Sequence, residues 1–434
     1  MNNHMEIPWH EYTKVDSKIK IENASLTEKS SVIGRIGLML LACGTGAWRV
    51  RSSMNTIASE LNITCIADIG LTNISYTCID GIESHAQSLS LHNTSVNTSK
   101  LARMEDFVYH FKDECKTCTC NEIHDQLDQI ESIHSSYSPI ILGLAAALAC
   151  SCFTFLLGGG PIEMLCTFVG AGLGNTLRMK LIKHNYTLFL NVAASVSLAC
   201  LVYALLFNFL EACFGIATQH EAGYICSMLF IIPGFPFITS GIDLAKLDLR
   251  SGLERLAYAV IIILAATLTA WICALVLHLQ PVDFVKLHIS TSTKLLLRLL
   301  TSFGGVFGFS IMFNSSKKIA ASAGCIGAIA NTLRLTLVDL SLPAAAAAFI
   351  GALTAGLLAS MIKGNTGYPR IAVTVPSIVI MVPGLYMYRA IYNLELTSTM
   401  SIGANWLIQS LLIVLALPMG LIFARILTDP SFRY

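Results

Sequence analysis

The sequence predicts a polytopic α-helical membrane protein, with about ten transmembrane helices as two inverted five-helix repeats behind a small amino-terminal cytosolic α/β domain. Three observations predict this class. The 434 residues are 54% hydrophobic and 13% charged, with a mean hydropathy of +0.65, whereas a soluble chain carries about a quarter charged residues. From residue 138 onward, apolar runs follow one another, each long enough to cross roughly 30 Å of hydrocarbon as a helix. Two short motifs then recur in the same order. The runs are continuous and rich in Ala, Leu, Ile and Gly, unlike the alternating segments of about ten residues in a membrane barrel.

The candidate spans are 138–157, 162–180, 186–210, 222–241, 256–280, 293–313, 318–337, 343–362, 370–392 and 402–427. Cut after the fifth, the series gives domains at 138–280 and 281–434, after a flexible tail at 1–27 and a cytosolic domain at 28–137. NTLR ends the second span of each set, at 175–178 and 331–334. The fourth spans carry IIPGFPF (231–237) and IMVPGLY (380–386). The offsets are 156 residues for NTLR and 150 for Gly234 to Gly384, a difference that loops absorb, so duplication explains the pair better than chance.

An odd number of spans per repeat inverts the second repeat in the bilayer. With residues 1–137 in the cytoplasm, the cytoplasmic connections hold Arg178, Lys180, Lys183, Lys246, Arg250, Arg255, Lys317, Lys318, Lys363 and Arg370. The outer ones hold Lys286 and Arg334, with Glu211, Glu221 and Glu395. That bias places both termini inside a cell membrane crossed many times; Lys294 and Arg298 run against it.

In the amino-terminal part, residues 27–60 read as a helix broken near Gly44 and Gly46. Residues 63–69 and 71–79 read as short strands rich in β-branched residues, and 98–112 and 119–134 as helices. The apolar stretch 33–42 is too short to span. Fourteen cysteines in spans or a cytosolic domain are expected as reduced thiols. Cys115, Cys118 and Cys120, near His110 and His124, offer zinc-ligand chemistry, but a compact C-x-x-C-x-C without a second half reads more simply as a linker, so no metal is assigned. GGGP at 158–161 lacks phosphate-loop spacing and serves to end one span and start the next. No cofactor, nucleotide or nucleic-acid signature is present, and no catalytic residue is assigned; a nucleotide-driven pump would need another polypeptide.

Polar and helix-breaking residues inside spans remain as the candidate path. Asn175 with Arg178, and Asn331 with Arg334, each share a helical face; arginine can grip a carboxylate with two hydrogen bonds while the amide fixes a second group. Helix packing by the asparagines and snorkelling by the arginines are the structural alternatives. Pro233, Gly234 and Pro236 are expected to interrupt the fourth span, and Pro376, Pro383 and Gly384 the ninth, freeing backbone groups for a zwitterion. Asp243 is a candidate proton carrier; equally, it could cap a helix beginning near Leu244, with Lys246 and Arg250 as neighbours. Glu163 is a second candidate for proton coupling, or else a first-turn carboxylate favoured by the helix dipole. Tyr386 and Arg389 complete the polar set.

From about residue 28 to 427 the chain resembles the threonine/serine exporter family. CGTGAWRVRSSM (43–54), GGGP (158–161) and IIPGFPFITSGIDLAKLDLRSGLERL (231–256) resemble its amino-terminal module. SFGGVFGFSIMFN (302–314), GAIANTLR (327–334) and VPSIVIMVPGLYMYRAI (375–391) resemble its carboxy-terminal module, here fused to the first. The resemblance implies export of threonine and serine by a secondary carrier driven by the proton gradient, through alternating access with the site at the broken helices. It points to Gly234, Pro236, Gly241, Asp243, Pro383, Gly384 and Tyr386 as functional positions. Relatives with separated modules are associated with dicarboxylate export, so a succinate-like solute is an alternative, as is a sensor or enzyme acting through the cytosolic domain. The family often has an acidic residue after the Arg-Val pair where this chain has Arg51. Gly- and Ala-rich stretches such as 343–362 suit close helix contact equally within one protomer or in a homo-oligomer.

Overall fold

A computed structural model describes residues 7–12, 18–91, 94–133, 137–215, 222–281, 284, 289–366, 370–395 and 399–430. Glu221 and Lys286, and the side chains of Lys363 and Glu395, lie outside the described residues. The chain forms two compact units: Met1–Ser136 with Asp243–Arg255, and Tyr137–Ile242 with Leu256–Tyr434.

The first unit begins its helices with α1 (Leu26–Ala42), started by a reciprocal capping box between Ser25 and Glu28. Val32, Ile33, Ile36 and Leu40 of α1 are wholly buried, each contributing about 1.5–3 kcal/mol of apolar transfer. The chain turns at Gly44, whose φ of +81° suits glycine, and enters α2 (Ala47–Glu60). β1 (Thr64–Ile69), β2 (Asn73–Asp80) and β3 (Glu83–Ser90) form an antiparallel meander with Cys65 opposite Cys78 and Tyr76 opposite Gln87. In β1 and β2 alternate residues are buried, as period-2 patterning requires. Tyr76 reaches α1, donating to the Ser30 carbonyl at 2.9 Å; a Cβ on Gly34 would lie 2.1 Å from its hydroxyl. α3 (Thr98–Glu114) and α4 (Cys120–Glu131) follow, the latter opened by a Thr119–Glu122 capping box. The sequence anticipates the helices and two strands. It misses β3, whose ESHAQSLS has no β-branched residue and pairs through its backbone along β2.

The second unit is helical. Its elements are α5 (Pro139–Leu156), α6 (Pro161–Lys183), α7 (Leu188–Phe214), α8 (Gly223–Ser227), α9 (Gly234–Ala245), α10 (Leu249–Leu277), α11 (Thr291–Met312), α12 (Lys317–Asp339), α13 (Ala344–Thr366), α14 (Arg370–Val379), α15 (Gly384–Glu395) and α16 (Met400–Thr428). The ends of α9 and the start of α10 belong to the first unit. Among the described residues, seven helices are long and apolar enough to cross a membrane, and two bent pairs raise the number to nine. The expected tenth span, 162–180, forms α6, which is 23 residues long but outside that set; Glu163, Asn175, Arg178 and Lys180 dilute its apolar character. α5 packs along α6 and also along α11, where Gly308 comes so close that a Cβ would lie 2.5 Å from the Ala145 carbonyl oxygen. All fourteen cysteines are free thiols.

Candidate functional site

The two bent pairs carry the expected breaks. Gly223–Ile231 and Gly234–Ala245 meet at 58°, Arg370–Val379 and Gly384–Leu394 at 49°. Their backbones match. The Gly234 N–H donates to the Ile232 carbonyl at 2.8 Å, closing a three-residue turn over Pro233; Gly384 donates to Val382 at 2.9 Å over Pro383. Proline holds φ near the value such a turn needs and supplies no N–H to continue the helix. Beyond each turn a new helix starts, with Phe237 donating to Pro233 at 3.1 Å and Met387 to Pro383 at 3.0 Å. Pro376 does not interrupt its span: α14 runs through it to Val379, and the break comes only before Gly384.

The breaks seat on each other. A Cβ on Gly234 would meet Val379 Cγ1 at 3.2 Å and Val382 Cγ2 at 3.3 Å. One on Gly384 would meet Leu229 Cδ2 at 3.0 Å and Ile232 Cγ1 at 3.1 Å. The contact is reciprocal: each glycine faces the residues two and five positions before the other. Nearby, the buried Tyr224 and Tyr388 hydroxyls lie 2.8 Å apart, joining α8 to α15. This pair was not anticipated; a phenol inside an apolar span, which needs a polar partner, was the available signal. Pro236 stands in the first turn of α9 where Tyr386 stands in that of α15. The Tyr386 ring lies 4.8 Å from Trp406, and Arg389 covers the Trp406 face at 5.2 Å. Gly241 packs on Pro418 of α16.

The two asparagines also match. Asn175 Nδ2 donates to the Leu142 carbonyl at 2.9 Å, from α6 to α5; Asn331 Nδ2 donates to Ser302 Oγ at 2.9 Å, from α12 to α11. Both side chains are buried, and in both Oδ1 receives no hydrogen bond. A carbonyl accepts only from the amide nitrogen, which fixes how Asn175 points its oxygen. Arg178 and Arg334, one turn further on, are partly buried, and no carboxylate lies within 4.0 Å of either among the described residues. Glu163 is buried and accepts the Gly160 N–H at 2.9 Å, serving the N-terminus of α6.

In the first unit, Asp243 is fully buried. Its Oδ2 accepts from Ser251 Oγ at 3.0 Å and from the Ala47 N–H at 3.1 Å, and lies 3.3 Å from Arg255 Nε. Asp243 therefore caps α2, whose own N-cap is Gly46, rather than a helix beginning near Leu244. A Cβ on Gly46 would sit 2.5 Å from Asp243 Oδ1. Lys246 lies over the Trp48 ring at 5.7 Å, and Arg250 pairs with Asp68 and Glu254, so neither is its counter-charge. Arg255 was missed because it lies twelve residues away, beyond any local helical pairing; it also donates to the Thr45 carbonyl at 2.7 Å and the Gly44 carbonyl at 3.3 Å. Arg51 pairs with the buried Asp248 and donates to the Ala67 carbonyl at 3.2 Å.

The cysteine motif does not converge. Cys115 donates to Gln126 Oε1 at 3.4 Å, Cys118 to the Glu114 carbonyl at 3.3 Å and Cys120 to the Glu28 carbonyl at 3.7 Å. Burial first of all pushes the Cys115 and Cys120 thiols up to about 12. His124, buried against Trp9 and beside Arg35, is held down to about 3 by loss of solvent and by that guanidinium. His10, Asp125 and Asp128 do converge among the described residues, but they are exposed and Arg35 already engages Asp128.

Comparison with known proteins places the chain in a family. Residues 31–277 match the family model described as "Putative threonine/serine exporter", and residues 298–427 the one described as "Threonine/Serine exporter, ThrE". A Mycobacterium tuberculosis protein named "Probable threonine/serine exporter" is 22% identical over 418 residues, 92% of this chain and 76% of the relative. An Escherichia coli protein named "Probable succinate transporter subunit YjjP" is 22% identical over 260 residues, 56% of this chain and 97% of the relative. No solved structure matches. With both of its modules matched and its long apolar helices in place, the chain belongs to the threonine/serine exporter family of membrane transporters, which is not a family of enzymes.

Proposed function

We propose that this protein is a secondary-active exporter of threonine and serine, working by alternating access between two inverted five-helix repeats, with both termini cytoplasmic. One observation carries the reading beyond the family: the reciprocal seating of the breaks at Gly234 and Gly384. Matched interruptions in two halves are where a carrier exposes backbone groups to solute, and a contact between them must slide or part when one half rocks. Asn175, Arg178, Pro233, Gly234, Pro236, Asn331, Arg334, Pro383, Gly384 and Tyr386 line or shape this path. Asp243 and Glu163 are already engaged as helix caps, so proton coupling through either requires those caps to open during the cycle.

A dicarboxylate such as succinate is the second reading, favoured by two arginines without a carboxylate partner among the described residues and by the name of the E. coli relative. Counterflow of radiolabelled threonine in proteoliposomes, with serine and succinate as competitors and an imposed proton gradient in parallel, separates the two. Saturable exchange blocked by serine is expected; exchange of succinate alone transfers the assignment to dicarboxylates, and no flux of either contradicts both.

A further inference from the structure

The two halves share a backbone plan but differ in charge at their breaks, and this difference, taken with the exporter reading, locates one end of the solute. In α12, Asn331 is fully enclosed with its nitrogen committed to Ser302 and its oxygen unanswered. Arg334 Nε is enclosed one turn later and has no acceptor among the described residues. On the same helix Asp339 is already taken by Arg298 at 2.6 Å and by Lys294 at 3.1 Å. Arg334 lies beside the second break: a Cβ on Gly351 would be 3.2 Å from both Arg334 Cβ and Met381 Sδ. Tyr386 follows Met381 across the same break, in the first turn of α15. In the first half Pro236 occupies the place of Tyr386, removing both a hydroxyl and a backbone donor.

We propose that Asn331, Arg334 and Tyr386 form a carboxylate-recognising subsite at the second break, with Arg334 and the Tyr386 hydroxyl donating to the solute carboxylate and Asn331 Oδ1 accepting from its ammonium or hydroxyl group. An enclosed cation beside an enclosed free acceptor suits a zwitterion or hydroxy acid, in which donor and acceptor are adjacent. It suits a lipid phosphate poorly, since a phosphodiester has nothing to donate to the asparagine oxygen. Arg178, by this assignment, does not read the carboxylate.

The test is competition against labelled threonine exchange by threonine and by threoninamide, which lacks the carboxylate, in proteoliposomes of full-length wild type, R334Q, R334K and R178Q. Wild type is expected to prefer threonine by about 10- to 100-fold, the factor carried by a hydrogen bond to a charged group. R334Q should shrink that preference to a few-fold, R334K should fall between, and R178Q should keep it. Should R334Q be too slow to exchange, R334K and direct binding of threonine and threoninamide to the solubilised variants give the same ratio. An unchanged ratio in R334Q overturns the subsite and leaves the exporter reading intact, and one that follows the anionic lipid content assigns Arg334 to headgroups. If wild type exchanges only succinate, the ratio of succinate to its monoamide replaces it and the same variants decide. Wild type that exchanges neither overturns the exporter reading and the subsite together.

Discussion

Arg255 and Arg334 are both arginines with an enclosed Nε, and they are answered in opposite ways. Arg255 is met by Asp243, Ser251 and two backbone carbonyls, all within the amino-terminal unit. Arg35 likewise has Asp128 and Glu131, and Arg51 has Asp248. Arg334 and Arg178, in the helical unit, have no such acid among the described residues. A buried charge is tolerated when its partner is folded in with it. In the amino-terminal unit these pairs hold a shape; in the helical unit Arg298 is likewise held by Asp339, and Arg178 and Arg334 are the cations that the proposed path leaves for its solute.

The sharpest way to break this contrast is to remove a partner on the structural side. Asp243→Ala strands Arg255 and should cost about 3–5 kcal/mol, read as a large fall in the thermal inactivation midpoint of the purified protein. Asp243→Ala combined with Arg255→Met should recover most of that loss; a single variant with wild-type stability would remove the pair from the structural side. Next in size is the contact between the breaks. Gly234→Leu or Gly384→Leu forces bulk against Val379 or Leu229 and should carry an overpacking cost of about 1–3 kcal/mol, seen as slowed exchange at normal expression, while the alanine variants exchange nearly normally.

A pH titration then separates the units. His124 is neutral in the folded unit down to about pH 3, whereas an unfolded histidine takes its proton near 6.5. Its contribution is complete above pH 6.5 and is lost as pH falls toward 3, at no more than about 1.4 kcal/mol per pH unit. Protection factors for hydrogen exchange in α1 and α4, taken against the intrinsic rate at each pH, should therefore fall below pH 6.5, and His124→Asn should flatten the slope. The smallest expected effect is at the tyrosine pair. Tyr224→Phe and Tyr388→Phe each remove one hydroxyl of a hydrogen bond worth about 1 kcal/mol, and a double-mutant cycle should show the second change costing less than the first.

Much of this was legible in the sequence, for reasons that differ by element. Pro233-Gly234 and Pro383-Gly384 announce their turns because proline and glycine act locally on the backbone. Pro376 shows the limit of that rule, since α14 continues through it. NTLR marked both asparagines, yet their partners Leu142 and Ser302 follow only from how neighbouring helices pack. β3 escaped because its eight residues alternate no apolar side chains. Asp243 was visible as a charge just after the fourth span, but its true partners, Ala47 and Arg255, are brought to it by tertiary folding. The reciprocal seating of the breaks joins residues about 150 positions apart and leaves no local trace.

That seating is the centre of the account, and a cross-link tests it most directly. Ile232→Cys with Gly384→Cys, in a background with the exposed Cys213 and Cys325 changed to serine, places two thiols where a Cβ on Gly384 would lie 3.1 Å from Ile232 Cγ1. Oxidation should join them and stop threonine counterflow, and a reductant should restore it. Full exchange through a quantitatively cross-linked protein would contradict the claim that the two breaks move against each other.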